Sequence, residues 1–351
     1  MEWRRLLLLH GTGIVAQLLL FVSLRTPSLS IDRGFLGFTC NQLHQLRHDG
    51  PAPVKPLQTL PKKGGDPQKT VITYLITREE YLIQFNVSLP LLKRNWLLRY
   101  PVSALIVFHT SDIRAENIRS IADHWNADIR TVSISPTLPD YVHQLQKTDA
   151  CVCCCNNHRG PGRKGPGGMV VGQYHKNYCQ MNRFRTFEMY RHPSLADFDY
   201  FIQMDTDLYV KKPMPYNPVV RMADLGGVMG YHKKEVRPNT KSDCNLGMYE
   251  AIENWINRSS LYPRYRPARG TSYTGNFIIG DLRFFRSEEY YTFARWINNE
   301  EKGIWTHRWP DQAFLPIIAG VYFAEAQHVQ FSDLLTEEVL VHTSQSIGRK
   351  P

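Results

Sequence analysis

The 351-residue chain is short of the features that mark several large protein classes. No zinc-finger spacing, basic zipper or aromatic RNA-binding signature accompanies its 42 Lys and Arg residues. Those residues are spread along the chain rather than gathered in one arm, which argues against a nucleic-acid partner. The net charge of +10 still favours anionic partners, whether phosphate-bearing substrates or acidic lipid headgroups. There is no internal repeat and no Gly-x-Gly-x-x-Gly or Walker pattern, so the glycine-rich stretch Gly160–Gly168 reads as a surface loop rather than a phosphate cradle. A hydrophobic fraction of 42% and a charged fraction of 21% exclude a largely disordered chain and suffice for one large α/β core or two modest domains.

One long apolar run is present, Leu6–Leu24, and Arg4 and Arg5 precede it. Its length approaches the ~20 residues of a bilayer-spanning helix. Arginines on its amino-terminal side keep residues 1–5 cytosolic and direct everything downstream to the lumen. Arg25-Thr26-Pro27 follows without a small-x-small cleavage site, so a retained signal anchor is expected over a cleaved signal peptide. Two sequons, Asn86-Val87-Ser88 and Asn257-Arg258-Ser259, fit a lumenal location. The seven cysteines are Cys40, Cys151, Cys153, Cys154, Cys155, Cys179 and Cys244. No second ligand pair converges on the 151–155 cluster, so disulfides or buried thiols are expected there rather than zinc.

Residues 25–68 are rich in Pro, Gly, Lys and Gln and read as a stem, which leaves 69–351 as the folded domain. Thr70–Ile76 is a β-branched run suited to a buried strand. A helical pattern over Glu79–Arg99 follows, then strands over Val102–His109 and Ile129–Ile134. This alternation predicts a doubly wound α/β fold whose ligands sit at the carboxyl ends of the strands. A helix is expected over Tyr178–Tyr190, and an apolar strand from Phe198 runs directly into Asp205-Thr206-Asp207. Two carboxylates spaced i, i+2 at the end of a buried strand suit a hard divalent cation that keeps open positions for phosphate oxygens.

Four blocks resemble the fungal-type glycolipid and glycoprotein 2-α-mannosyltransferase family. They are Leu75-Ile76-Thr77-Arg78 with Tyr100–Phe108; Tyr178, Met181 and Arg183 with Tyr190-Arg191-His192-Pro193; Asn276–Glu288; and Arg308-Trp309-Pro310-Asp311-Gln312-Ala313. The resemblance implies a GT-A-like α/β fold with a mixed central sheet, on a type II Golgi or ER membrane protein with a lumenal catalytic domain. It also implies transfer of mannose from GDP-mannose to a glycan acceptor on protein or lipid. Position by position, it implies metal binding by Asp205, Asp207 and His342. Imidazole in that set favours Mn²⁺. Arg78 and Asn276 would bind the donor together with the two aspartates. Tyr178 would contact the donor or acceptor and Asp311 the acceptor hydroxyl, although Asp311 alone also reads as a helix cap. Apart from the resemblance, Asp281 reads as a catalytic-site ligand of sugar hydroxyls or as a turn-stabilising aspartate. Trp305 and Trp309 read as sugar-stacking or as core.

Two departures qualify these expectations. The family's Glu-Pro-Asp is Asp205-Thr206-Asp207 here, which preserves the carboxylates. Its glutamate after the Asn-Phe pair is Ile278, which can neither attack an anomeric carbon nor take a proton. Another nucleotide sugar, or an inactive glycan-binding or scaffolding relative, is therefore kept as an alternative.

Overall fold

The computed structural model describes residues 65–135, 138–147, 176–236, 245 and 247–342. The expected membrane segment, residues 25–64 of the stem, the cysteine cluster and the glycine-rich loop lie outside the described residues. Among the described residues, no helix is long and apolar enough to cross a membrane.

The first strand, β1 (Thr70–Ile76), is buried along its whole length. Its side chains alternate between two layers: Val71 and Leu75 enter one core, and Ile72, Tyr74 and Ile76 enter the other. Apolar residues on both faces are what a central strand covered on two sides requires. After it come α1 (Glu79–Leu92), β2 (Ala104–Thr110), α2 (Ala115–His124), β3 (Arg130–Ile134) and α3 (Asp140–Lys147). Next are α4 (Lys176–Arg183), β4 (Tyr200–Met204), β5 (Leu208–Val210), α5 (Pro218–Asp224), β6 (Met229–Tyr231) and β7 (Lys234–Val236). The last part holds α6 (Met248–Arg258), β8 (Thr271–Tyr273), β9 (Phe277–Asp281), α7 (Leu282–Phe285), α8 (Glu288–Arg295) and α9 (Gly303–Thr306). It ends with α10 (Asp311–Tyr322), β10 (His328–Gln330), α11 (Ser332–Thr336) and β11 (Leu340–His342).

Seven strands form one sheet in the order β10-β6-β9-β4-β1-β2-β3. Neighbours are parallel except at β9, which runs antiparallel to both β4 and β6. This is the mixed, helix-flanked GT-A-like sheet that the motifs implied. Leu82, Phe85 and Leu89 of α1 cover one face, and helices α6, α8 and α10 cover the other. Two small antiparallel ribbons, β5–β11 and β7–β8, stand apart from the main sheet.

Several expected elements end in a different geometry. The helix predicted over 79–99 is α-helical only to Leu92 and closes through a π-turn, Lys93–Leu97, after Pro90 removes one backbone donor. The helix predicted over 178–190 changes to a π-turn at Phe184–Glu188 and then to a 3₁₀ turn at Met189–Arg191. Trp305 and Trp309 are buried and belong to the core. Asp311 is the first residue of α10, with Pro310 as its cap residue. Cys179 is buried and disulfide-bonded.

The β4–β9 contact is close because Gly280 faces Phe201. A Cβ at Gly280 would lie 2.2 Å from the Phe201 ring. Gly280→Ala is therefore expected to destabilise the domain by about 1–3 kcal/mol through overpacking, read as a lowered denaturant midpoint. An unchanged midpoint would mean that the ring can retreat freely.

Candidate functional site

Asp205 follows the last residue of β4, at the carboxyl end of the parallel strands. A tight turn begins there: the Leu208 amide donates to the Asp205 carbonyl (3.1 Å), and the Asp205 amide donates to the Asn276 carbonyl (3.1 Å). The turn is fastened from outside by α1. The Thr206 hydroxyl donates to Gln84 Oε1 (2.6 Å), and the Ser88 hydroxyl donates to the Leu208 carbonyl (2.9 Å). Thr206 is buried, so the two flanking carboxylates project from a turn anchored at its centre.

The third member of the cluster arrives from far along the chain. Pairing of β5 with β11 sets His342 opposite Leu208, and Nε2 of His342 lies 3.2 Å from Oδ2 of Asp207. Ligand atoms of Asp205, Asp207 and His342 all lie within 4.8 Å of one another. The hydrogen bond to Asp207 raises the His342 imidazolium above its ordinary range, against a smaller opposing effect of burial. Two carboxylates and an imidazole are a donor set for a divalent transition ion such as Mn²⁺.

A cleft of ≈ 780 Å³ opens beside this cluster, lined by Asp205 and His342 and by Tyr178, Asn182, Arg185, His232, Asn276, Asp311 and Gln312, among others. Arg185 carries no expected role in the sequence reading. It sits on the π-turn after α4, is buried, and places Nη2 2.6 Å from Asp205 Oδ1. Burial alone would push its guanidinium down, but the charges of Asp205 and Asp311 outweigh that and hold it above its ordinary value. Arg183, which the family motif drew attention to, turns away to Glu188 (3.0 Å) and Asn299 (2.8 Å).

Asp311 is buried, and its Oδ1 accepts the Gln312 amide (2.8 Å). Desolvation pushes its carboxyl above the usual carboxylate range, and the charge of Arg185 opposes this. Gly275 leaves space over that carboxyl, since a Cβ there would lie 3.7 Å from both of its oxygens. Tyr178 lies under the Arg308 guanidinium, 4.1 Å from its ring centroid, and Arg308 reaches it from a left-handed backbone (φ 61°). Strained backbone of this kind is concentrated at ligand sites. Three buried polar atoms of the lining, Asn182 Oδ1, Asn276 Oδ1 and Arg185 Nε, have no hydrogen-bond partner among the described residues. Two acceptors and one donor left open in a cleft are groups that a polar ligand would satisfy.

The structure therefore gathers Asp205, Asp207, His342, Asn276, Tyr178 and Asp311 around one site. Arg78 stands beside it, at the amino end of α1, with Nη1 3.2 Å from Glu80 Oε1. Its charge acts on the Tyr81 hydroxyl, as do those of Asp205 and Arg185, but it does not line the cleft. Asp281 is not part of this cleft. It pairs with Tyr200 at the opposite end of β4, caps α7 through the Arg283 amide (3.0 Å) and binds the Arg283 guanidinium. The strand-end acid looked alike in sequence, but β9 runs antiparallel, so its carboxyl end faces away from the site. His232 and Lys233 also line the cleft, and burial pushes the His232 imidazole down to about 4.

The family model described as "Glycolipid 2-alpha-mannosyltransferase" matches residues 167–338. That span includes both aspartates of the turn, Asn276 and Asp311. Among named relatives, the chain is 24% identical over 230 residues to "O-glycoside alpha-1,2-mannosyltransferase homolog 4" of Schizosaccharomyces pombe, covering 53% of this chain and 52% of that protein. It is 22% identical over 273 residues to "Mannosyltransferase KTR6" of Saccharomyces cerevisiae, covering 70% of this chain and 57% of that protein. The chain thus spans little more than half the length of these curated relatives. In three dimensions it is similar to core-mannan synthase A (CmsA/Ktr4) of Aspergillus fumigatus in its Mn/GDP form. The TM-score is 0.56 at 17% identity, over 75% of this chain and 72% of that one, and this likeness establishes the fold. The resemblance carried by the motifs is thus present in both sequence and fold.

Mn²⁺ titration of the purified protein tests the donor set. Asp205→Asn, Asp207→Asn and His342→Ala are each expected to weaken binding by more than about tenfold. Because a metal requires neutral imidazole and the Asp207 contact favours the protonated form, binding is expected to release a proton and to weaken as pH falls through the His342 pKa. Full affinity in the triple variant would place the metal elsewhere.

Proposed function

We propose that the chain is a metal-dependent glycosyltransferase that moves mannose from GDP-mannose to a sugar hydroxyl of a glycoprotein or glycolipid glycan. The observation that carries this is the convergence of Asp205, Asp207 and His342 at the carboxyl end of β4, in a cleft that also holds a buried Asp311. The names of its relatives point to mannose, and the Mn/GDP form of its structural neighbour points to the cation and nucleotide. The run Leu6–Leu24 behind Arg4 and Arg5, with the disulfide at Cys179, supports a lumenal domain anchored in a Golgi or ER membrane.

Asp205, Asp207 and His342 would hold the cation, Mn²⁺ on the chemistry of that set. A bound cation there supplies charge neutralisation for the diphosphate leaving group. Asn276 and Asn182 offer open amide oxygens to sugar hydroxyls, and Arg185 offers an N–H to a phosphate oxygen. In the reaction, the acceptor oxygen forms a bond to C1 of the donor sugar while the C1–O bond to the diphosphate breaks and GDP departs. Asp311 takes the acceptor proton, a task helped by a carboxyl held above its usual range. Ile278 is buried on β9 between β4 and β6, paired with Gln203 and Tyr231, and offers no nucleophile at that position. This favours front-face attack over double displacement through a covalent intermediate.

Isothermal titration with GDP-mannose, GDP and UDP-sugars, with Mn²⁺ and with EDTA, tests the donor. Metal-dependent binding of the GDP species, lost in Asp205→Ala, is expected. Binding of a UDP-sugar instead would keep the fold and sink the mannosyl reading, and no nucleotide binding at all would favour the non-catalytic glycan-binding reading.

The acid limb of kcat/KM tests the base. Asp311 must be ionised to act, so activity is expected to fall with decreasing pH from above the ordinary carboxylate range. Arg185→Gln removes the charge that favours ionisation and is expected to move that limb to higher pH. A limb unmoved by that change would separate Arg185 from Asp311.

A further inference from the structure

The sequon Asn86-Val87-Ser88 lies in the middle of α1; its Ser88 fastens the site turn, but Asn86 has no part in the proposed chemistry. Gln84 and Ser88 face the Asp205–Leu208 turn, and Asn86 projects from the opposite side of the same helix. There it borders a groove of ≈ 640 Å³ lined by Val87, Pro90, Leu91, Leu98 and Trp125. Lys93 and Arg94 also line it, but its apolar side chains are unusually exposed to water: Val87 is 43% and Leu98 71% exposed, and Ile83, one turn earlier on α1, is 55% exposed.

The asparagine itself is oriented. Its Oδ1 accepts a hydrogen bond from the Trp125 indole N–H (2.8 Å), while its Nδ2 has no hydrogen-bond partner among the described residues. Glycosylation changes only the nitrogen, so this bond persists in the modified side chain and aims the sugar along the groove. Sugar rings carry an apolar C–H face and the acetamido methyl of N-acetylglucosamine, both suited to Trp125, Val87 and Leu98. The second sequon offers no such seat, because Asn257, although exposed, borders none of the described grooves.

We propose that Asn86 carries an N-linked glycan whose proximal sugars cover this apolar groove as an intramolecular shield. The proposal rests on the lumenal reading given above. In the modification, Asn86 Nδ2 forms a bond to C1 of the reducing-end N-acetylglucosamine of a lipid-diphosphate oligosaccharide. The C1–O bond to the diphosphate breaks, the lipid diphosphate leaves with the bonding pair, and the Nδ2 proton passes to a base of the transferring enzyme. Timing follows from Ser88, whose hydroxyl that enzyme must reach. In the folded protein the hydroxyl is buried on the Leu208 carbonyl, 120 residues later, beside the Tyr74 hydroxyl. The sugar must therefore be added before β5 docks on α1.

The test uses the full-length chain translated with microsomal membranes, as wild type, Asn86→Gln and Asn257→Gln, with glycopeptides mapped by mass spectrometry. Protease-protected wild type is expected to carry sugar at Asn86, and Asn86→Gln is expected to lose one mobility step. Enzymatic removal of the glycan is expected to raise the fluorescence of an apolar dye about two-fold in wild type and to leave Asn86→Gln unchanged. A bare Asn86 in protected chain, or in chain glycosylated at Asn257, overturns the proposal and leaves the lumenal reading intact. Unchanged dye fluorescence after glycan removal overturns the shield. A chain neither protected nor glycosylated overturns the lumenal reading and this inference with it.

Discussion

The three-residue pairing of β5 with β11 is the constraint on which the site depends. It sets His342 opposite Leu208 and so returns the carboxyl-terminal part of the domain to the turn that carries Asp205 and Asp207. Two further hydrogen bonds extend the connection: the Lys211 backbone amide donates to the Val339 carbonyl (2.8 Å), and the Asn95 side-chain Nδ2 donates to the Val210 carbonyl (2.6 Å). The π-turn after α1, β5 and β11 therefore support one another. A one-residue slip of the ribbon would point the imidazole to the other face and dismantle the cluster, because side-chain direction alternates along a strand.

Electrostatics impose a second requirement on the same residues. Asp205 and Asp207 stand two residues apart, and each has a basic partner, the Arg185 guanidinium for the first and the His342 imidazole for the second. Asp205, Asp207 and His342 would hold a divalent cation, and Asp205 would then be shared between that cation and Arg185. Arg185 also acts on Asp311, which couples the charge around Asp205 to the proton affinity of the Asp311 carboxyl. Breaking a buried charged contact is costly because the remaining partner stays desolvated, which is why this arginine is held by the core rather than by solvent.

The parallel half of the sheet was legible in the sequence because its strands are short apolar runs covered on both faces. Asp205 and Asp207 were legible for the same reason, as acids at the end of such a run. His342 was not, since a three-residue strand 135 residues away carries no periodic signal; only the family resemblance pointed to it. Arg185 was missed because the helical pattern over 178–190 gave no reason to single it out and the family resemblance pointed to Arg183 instead. Arg185 sits on the π-turn Phe184–Glu188, a departure from the helix that the sequence did not signal. Asp281 was read both as a site residue and as a turn-stabilising aspartate, and the second holds, because it caps α7 at the end of β9 that points away from the cleft. The reversal of β9 arises from long-range pairing and leaves no local trace. The same reversal brings the amino end of β9, with Gly275 and Asn276, to the cleft.

The most direct measurement is pulsed electron paramagnetic resonance of Mn²⁺ bound to the full-length protein, read for hyperfine coupling to nitrogen. The β5–β11 pairing requires one imidazole nitrogen at the ion, so a nitrogen coupling is expected in wild type and is expected to vanish in His342→Ala while manganese remains bound at higher concentration. A manganese signal without nitrogen coupling in wild type would contradict the convergence of His342 with Asp205 and Asp207.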